Sequence, residues 1–122
     1  MPLRALAFAA FLALPTAVWS AEAPIRIVAA EAFYAEVAQA VGGDRVSVAS
    51  VPIRPDADPH DFSPPPSVAR AVADADLVVM NGLDYDHWME HLVEASPNEA
   101  RIVVAVAGVL GAETGGNPHL WY

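Results

Sequence analysis

From residue 25 to residue 107, short apolar runs take turns with stretches whose apolar residues lie three and four positions apart. Residues 25–30 form a strand candidate. Residues 31–41 follow, with Phe33, Val37, Ala40 and Val41 at helical spacing. Gly42-Gly43 ends that helix, because glycine readily takes the left-handed conformation common just past a helix C-terminus. A pair that follows a helix rather than a strand reads as a turn, not as a phosphate loop. A second strand is predicted over residues 46–53, running into a loop over residues 54–66 that holds five prolines and is therefore stiff. A short helix starts near Ser67 with Val68, Ala69, Val72 and Ala73 as its buried stripe. Residues 76–81 make a third strand, whose Leu77-Val78-Val79-Met80 run lacks alternation, as expected of a strand covered on both faces. Residues 84–95 read as an amphipathic helix with Tyr85, Trp88, Met89, Leu92 and Val93 on one stripe. Residues 101–107 give a fourth strand, and a Gly-rich stretch over residues 108–116 leads on to His119.

Strands joined by connections long enough to cross over imply an α/β fold: a four-stranded parallel sheet with helices on both faces. In such sheets ligands bind beyond the carboxyl ends of the strands. His60 follows the second strand and His119 the fourth, so both are expected at that edge. His87 and His91 are spaced like a two-histidine metal face, but they fall opposite the apolar stripe among Asp84, Glu90 and Glu94. They read as a solvated face leading toward the other edge.

The N-terminus changes the picture of where the protein works. Residues 1–21 carry one early charge, Arg4, then a run over residues 5–14 with no charged or polar side chain, then small residues suited to cleavage. This reads as a secretory signal peptide, the run being about half of what a membrane-spanning helix needs. The mature chain, residues 22–122, is expected in the periplasm. Its five arginines stand against fifteen Asp and Glu, so no basic patch for nucleic acid can be assembled. The absence of cysteine removes disulfides, thiolate ligands and a lipid-accepting thiol.

The candidate chemistry lies in two Pro-His clusters, Asp58-Pro59-His60-Asp61-Phe62 and Asn117-Pro118-His119-Leu120-Trp121-Tyr122. Proline restricts its own φ and the residue before it, which suits a held metal ligand. Neutral imidazole is a common ligand for zinc and other divalent metals. Asp58 and Asp61 flank His60 as candidates to orient its ring, or simply to solvate the loop.

With these clusters, the Asp74-Ala75-Asp76-Leu77-Val78-Val79 segment, Asn81-Gly82 and Trp88, the chain resembles the metal-binding solute-binding proteins of bacterial ABC transporters. The resemblance runs from about Ile25 to Tyr122. It implies a non-enzymatic, monomeric protein that captures Zn2+ or Mn2+ outside the cytoplasm and delivers it to an ABC permease in the membrane. It also implies that His60 and His119 are direct metal ligands from the first of two lobes, with the remaining ligands supplied by a second lobe, so the chain reads as a truncated N-terminal half. Pro64-Pro65-Pro66-Ser67-Val68 departs from the family's usual Pro-Thr-Pro-Ser-Asp. Residues 108–116 hold no histidine where many zinc-selective members carry a His-rich loop. Two rival readings are a metal-dependent hydrolase, in which Asp61 acts on a metal-bound water, and an adhesive surface module without metal. No nucleophile motif or HExxH pattern supports the hydrolase.

Overall fold

A computed structural model describes residues 22–54, 58–113 and 115–121; the segment assigned to export lies outside the described residues. The elements are β1 (Ile25–Ala29), α1 (Ala32–Gly42), a 3-10 turn (Gly43–Arg45), β2 (Val46–Ser50), a second 3-10 turn (Pro59–Asp61), α2 (Pro66–Asp74), β3 (Leu77–Met80), α3 (His87–Ala95), β4 (Ile102–Ala105) and α4 (Val106–Leu110). All four strands pair in parallel in the order β2-β1-β3-β4. Val28 lies in register with Ala49 on one side and Val78 on the other, and Val78 with Val103. The expected four-stranded parallel α/β sheet is thus present.

The order of strands matters for the site. From β1 the chain winds outward to β2, then returns across β1 to β3 and winds the other way. The direction of winding therefore reverses between β1 and β3, the position beyond whose carboxyl ends open α/β sheets generally bind ligands. At the opposite end of the sheet, Arg26 and Asp76 tie the starts of the same two strands. Arg26 Nη2 donates to Asp76 Oδ1 at 2.9 Å, and Arg26 Nε and backbone N donate to Oδ2. That pairing holds the exposed Asp76 carboxyl down at about 2.

One face of the sheet carries the core. Val28, Val78 and Met80 pack with Val68 and Val72 of α2 and Trp88 and Met89 of α3, and Phe62, Leu92 and Val93 close the margin. Strand side chains alternate between faces, so Ile27, Leu77 and Val79 turn the other way, toward α1. That helix covers its side incompletely. No residue of α1 is buried; Val37 is 61% and Val41 79% exposed although both fall at the helical spacing read from the sequence. An apolar groove lined by Ile25, Ile27, Val37, Val41, Leu77 and Val79 runs between helix and sheet. The expectation that β3 is covered on both faces is therefore met on one.

Local chemistry explains the shifted boundaries. Gly42 is the last residue of α1 and lies so near Val46 that a Cβ there would come within 2.3 Å of its Cγ1, while Gly43 supplies the positive φ, 55°. The helix predicted from residue 84 begins at His87, because Gly82, Leu83 and Asp84 have φ of 78°, 54° and 62°, incompatible with a right-handed helix. In α2, Val68 and Val72 are buried as expected, but Ala73 is exposed and Ala71 packs against the core in its place. The fourth strand stops at Ala105, and Val106–Leu110, expected to be strand and loop, forms a helical turn that Gly111 ends at φ 65°.

Candidate metal centre

His60 and His119 reach the carboxyl edge of the sheet on two copies of one local motif. In Asp58-Pro59-His60, the Asp58 Oδ1 accepts from the His60 backbone N–H at 2.9 Å. In Asn117-Pro118-His119, the Asn117 Oδ1 accepts from the His119 backbone N–H at 3.0 Å. Each is a turn closed by an Asx side chain on the amide two residues later, with proline stiffening the middle. The Asx-Pro-His pattern is legible in the sequence; the hydrogen bond from each histidine amide back to its Asx side chain is not. Phe62, two residues past His60, packs edge-on against Trp88 with ring centres 4.9 Å apart and so anchors the first loop to the core.

The two imidazoles flank one aromatic ring. His60 lies 4.9 Å and His119 5.5 Å from Tyr85, measured between ring centres, both edge-on. Trp121 completes the cluster, 5.0 Å from His119, 4.9 Å from Tyr85 and stacked on Phe33 of α1 at 4.6 Å. Tyr85 was expected on the helix stripe; it is instead a buried loop residue preceding α3, and both imidazoles contact its ring.

Asp58 meets His60 through the backbone, and the side chain of Asp61 is exposed. The partner of the His60 ring is elsewhere: Nδ1 lies 3.2 Å from the carbonyl oxygen of Asp84. A carbonyl only accepts, so Nδ1 carries the hydrogen of this bond, and in the neutral ring the lone pair is left on Nε2. That is the tautomer a metal would meet. His87 and His91 face each other on α3 with ring centres 5.7 Å apart, His91 exposed; His87 opens the helix, nearer the carboxyl edge than its expected place.

A buried polar cluster underlies the aromatic one. Asn81, fully buried at the end of β3, accepts from the Tyr34 hydroxyl at 2.6 Å and donates through Nδ2 to the carbonyls of Gly82 and Pro118, each at 2.8 Å. Asp86, also fully buried, accepts from the backbone N–H of Asn81 at 2.6 Å and of Gly82 at 2.8 Å. Glu31, at the end of β1, is buried beside the Asp86 carboxyl, and a proton on either group lets the two hydrogen-bond to each other. Burial, then the charge of Asp86, pushes Glu31 up to about 8. Burial also raises Asp86, against the two amides that favour its charged form. Glu31 therefore holds the proton of the pair at neutral pH. Burial and the same two carboxyls push Tyr34 up to about 12 and raise Tyr85. Glu31 and Asn81 follow the ends of β1 and β3, where the winding reverses. Asn81 entered the sequence reading only as part of the Asn81-Gly82 resemblance, and Asp86 was not singled out, since one aspartate beside Asp84 and His87 has no periodic signature of its own.

Among the described residues no group of three or more His, Cys, Asp or Glu converges so as to hold a metal ion. His60 and His119 each lie against the Tyr85 ring, and two imidazoles fall short of the four ligands zinc usually takes.

A model of periplasmic zinc-uptake complex component A matches residues 27–122. The chain belongs to the zinc-uptake complex component A family. Among curated relatives of this member, the manganese-binding lipoprotein MntA of Halalkalibacterium halodurans is 34% identical over 103 residues, covering 80% of this chain and 33% of that protein. The iron-binding protein YfeA of Yersinia pestis is 32% identical over 93 residues, 70% of this chain and 29% of its own length. The fold matches the metal-dependent lipoprotein YcdH of Bacillus subtilis with a TM-score of 0.67 at 22% identity, over 80% of this chain and 37% of that one. The zinc-uptake family member described here thus spans about a third of the length of these relatives.

Proposed function

We propose that this chain is the metal-capturing first lobe of a two-lobed protein that takes up zinc or manganese outside the cytoplasm and passes it to an ABC permease. Residues 1–21 serve as its export signal and residues 22–122 as the lobe. Coverage of about a third of each relative fits one lobe, and the relatives' names include manganese and iron binding. The observation that carries the reading is the pair of Asx-Pro-His turns, whose histidines, His60 and His119, both contact Tyr85 near the carboxyl edge of the sheet. His60 Nε2 and an imidazole nitrogen of His119 are the proposed ligands, and the rest of the shell comes from outside this lobe. The work is coordination and release without chemical turnover, by a monomer that makes no contact with nucleic acid.

Isothermal titration tests this. The chain is expected to bind Zn2+ weakly, because two ligands leave the shell open. His60→Ala with His119→Ala should lower the affinity at least about tenfold, equivalent to about 1.4 kcal/mol. Undiminished binding by the double variant removes these histidines from the site.

A further inference from the structure

Asp86 stands at the N-cap of α3, where an aspartate ordinarily accepts from the amides of its own helix. It makes no such bond. Its carboxylate turns back and accepts from Asn81 N at 2.6 Å and Gly82 N at 2.8 Å, the two amides that open the left-handed turn. The turn is unfavourable for its occupants, since Leu83 and Asp84 both hold positive φ without being glycine. A conformation of this kind persists only where its surroundings fix it. Here the fixing groups are Asp86, the Tyr85 N–H that donates to Gly82 O at 3.2 Å, and the Met89 N–H that donates to Asp86 O at 2.8 Å.

Two contacts lead out of this assembly, one to each histidine. The left-handed φ of Asp84 goes with the aim of its carbonyl at His60 Nδ1. Asn81, whose backbone Asp86 holds, donates from its side chain to the carbonyl of Pro118, the residue before His119. Tyr85, between Asp84 and Asp86 in the chain, is the ring that both imidazoles flank.

We propose that Asp86 is a positioning residue for both candidate ligands, acting on His60 through the turn at residues 82–84 and on His119 through Asn81. The inference rests on the reading that these histidines bind the metal, and it adds what sets their geometry before metal arrives. Asp86 touches neither ring; it fixes which nitrogen of His60 is free and where the His119 turn is clamped.

The test is carried out on the full chain without metal, by two-bond proton–nitrogen correlation spectra of the imidazoles, with His60→Ala and His119→Ala used for assignment. Wild-type His60 should show the Nδ1–H tautomer. In Asp86→Ala, and in Asp86→Asn, which keeps the size of the side chain, His60 should shift toward the Nε2–H tautomer favoured by free imidazole, and the His119 signals should move with it. Zinc affinity of a folded variant should fall ten- to hundredfold, the usual cost of losing a group that orients a metal-binding histidine. A wild-type His60 in the Nε2–H form overturns the proposal. So does a variant that keeps its far-ultraviolet circular dichroism and shows both histidines unchanged. If neither Asp86 variant folds, Asp84→Val keeps the backbone carbonyl but disfavours the left-handed φ at an exposed position, and a His60 tautomer indifferent to it counts equally against the proposal. Because the tautomer is read without metal, absence of zinc binding in the wild type would count against the metal-capture reading and leave the positioning result standing.

Discussion

Glu31 is a carboxyl that the fold keeps from ionising. Its ordinary value is 4.5, and burial beside Asp86 moves it to about 8. Between those values the folded chain holds a proton that the unfolded chain has lost, so rising pH favours unfolding. The contribution is fully present below pH 4.5 and is lost as pH rises through about 8, a change on the order of a few kcal/mol. Glu31→Gln removes the ionisable group while keeping its shape. Thermal melts across this window should show the wild type losing stability more steeply with pH than the variant, and equal slopes would remove Glu31 as the cause. At the same scale, much of the candidate site was legible and part was not. His60 and His119 stand out because proline neighbours and strand order mark them. Asp84 contributes through its backbone carbonyl, which every residue has, so no pattern of side chains could reveal it.

Among the elements, α2 and α3 depend on a residue that belongs to neither. Arg101, 8% exposed just before β4, donates to the carbonyl of Val72 at 2.8 Å and of Val93 at 3.1 Å, and to Ser96 through both its hydroxyl and its carbonyl. A cation on the last carbonyls of a helix satisfies acceptors that have no partner within the helix and opposes the negative end of its dipole. Here one guanidinium serves two helix ends. Arg101→Ala should destabilise the chain by about 2–4 kcal/mol in urea unfolding, and Arg101→Lys, with a single head group, should restore only part of that. A loss below about 0.5 kcal/mol would show that the helix ends do not need it. The strands were legible to within a few residues because parallel β1 to β4 are short apolar runs between turn signals. Helix starts were less so. Tyr85 carries the right period for α3, yet the left-handed residues 82–84 prevent the helix from reaching it. The stripe on α1 has the right period too, but periodicity reports an apolar face and not whether anything covers it.

Taken as a whole, the molecule has one complete side and one incomplete side. The core on the α2 and α3 face is closed, while the groove beneath α1 exposes large apolar side chains that a self-contained domain would ordinarily cover. The site lies between these sides, where the winding of the sheet reverses. That position ties His119 to α1 through Trp121 and Phe33, and His60 to α3 through Phe62 and Trp88. The two described tryptophans consequently have opposite surroundings: Trp88 is 4% exposed in the core, and Trp121 is half-buried beside a candidate ligand. The chain thus carries its own optical reporter and internal standard. Zinc bound at His119 should alter the indole emission of Trp121 and leave that of Trp88 unchanged, and paramagnetic manganese should quench the first more than the second. Trp121→Phe should abolish the response, and a signal that survives it would place the metal away from His119.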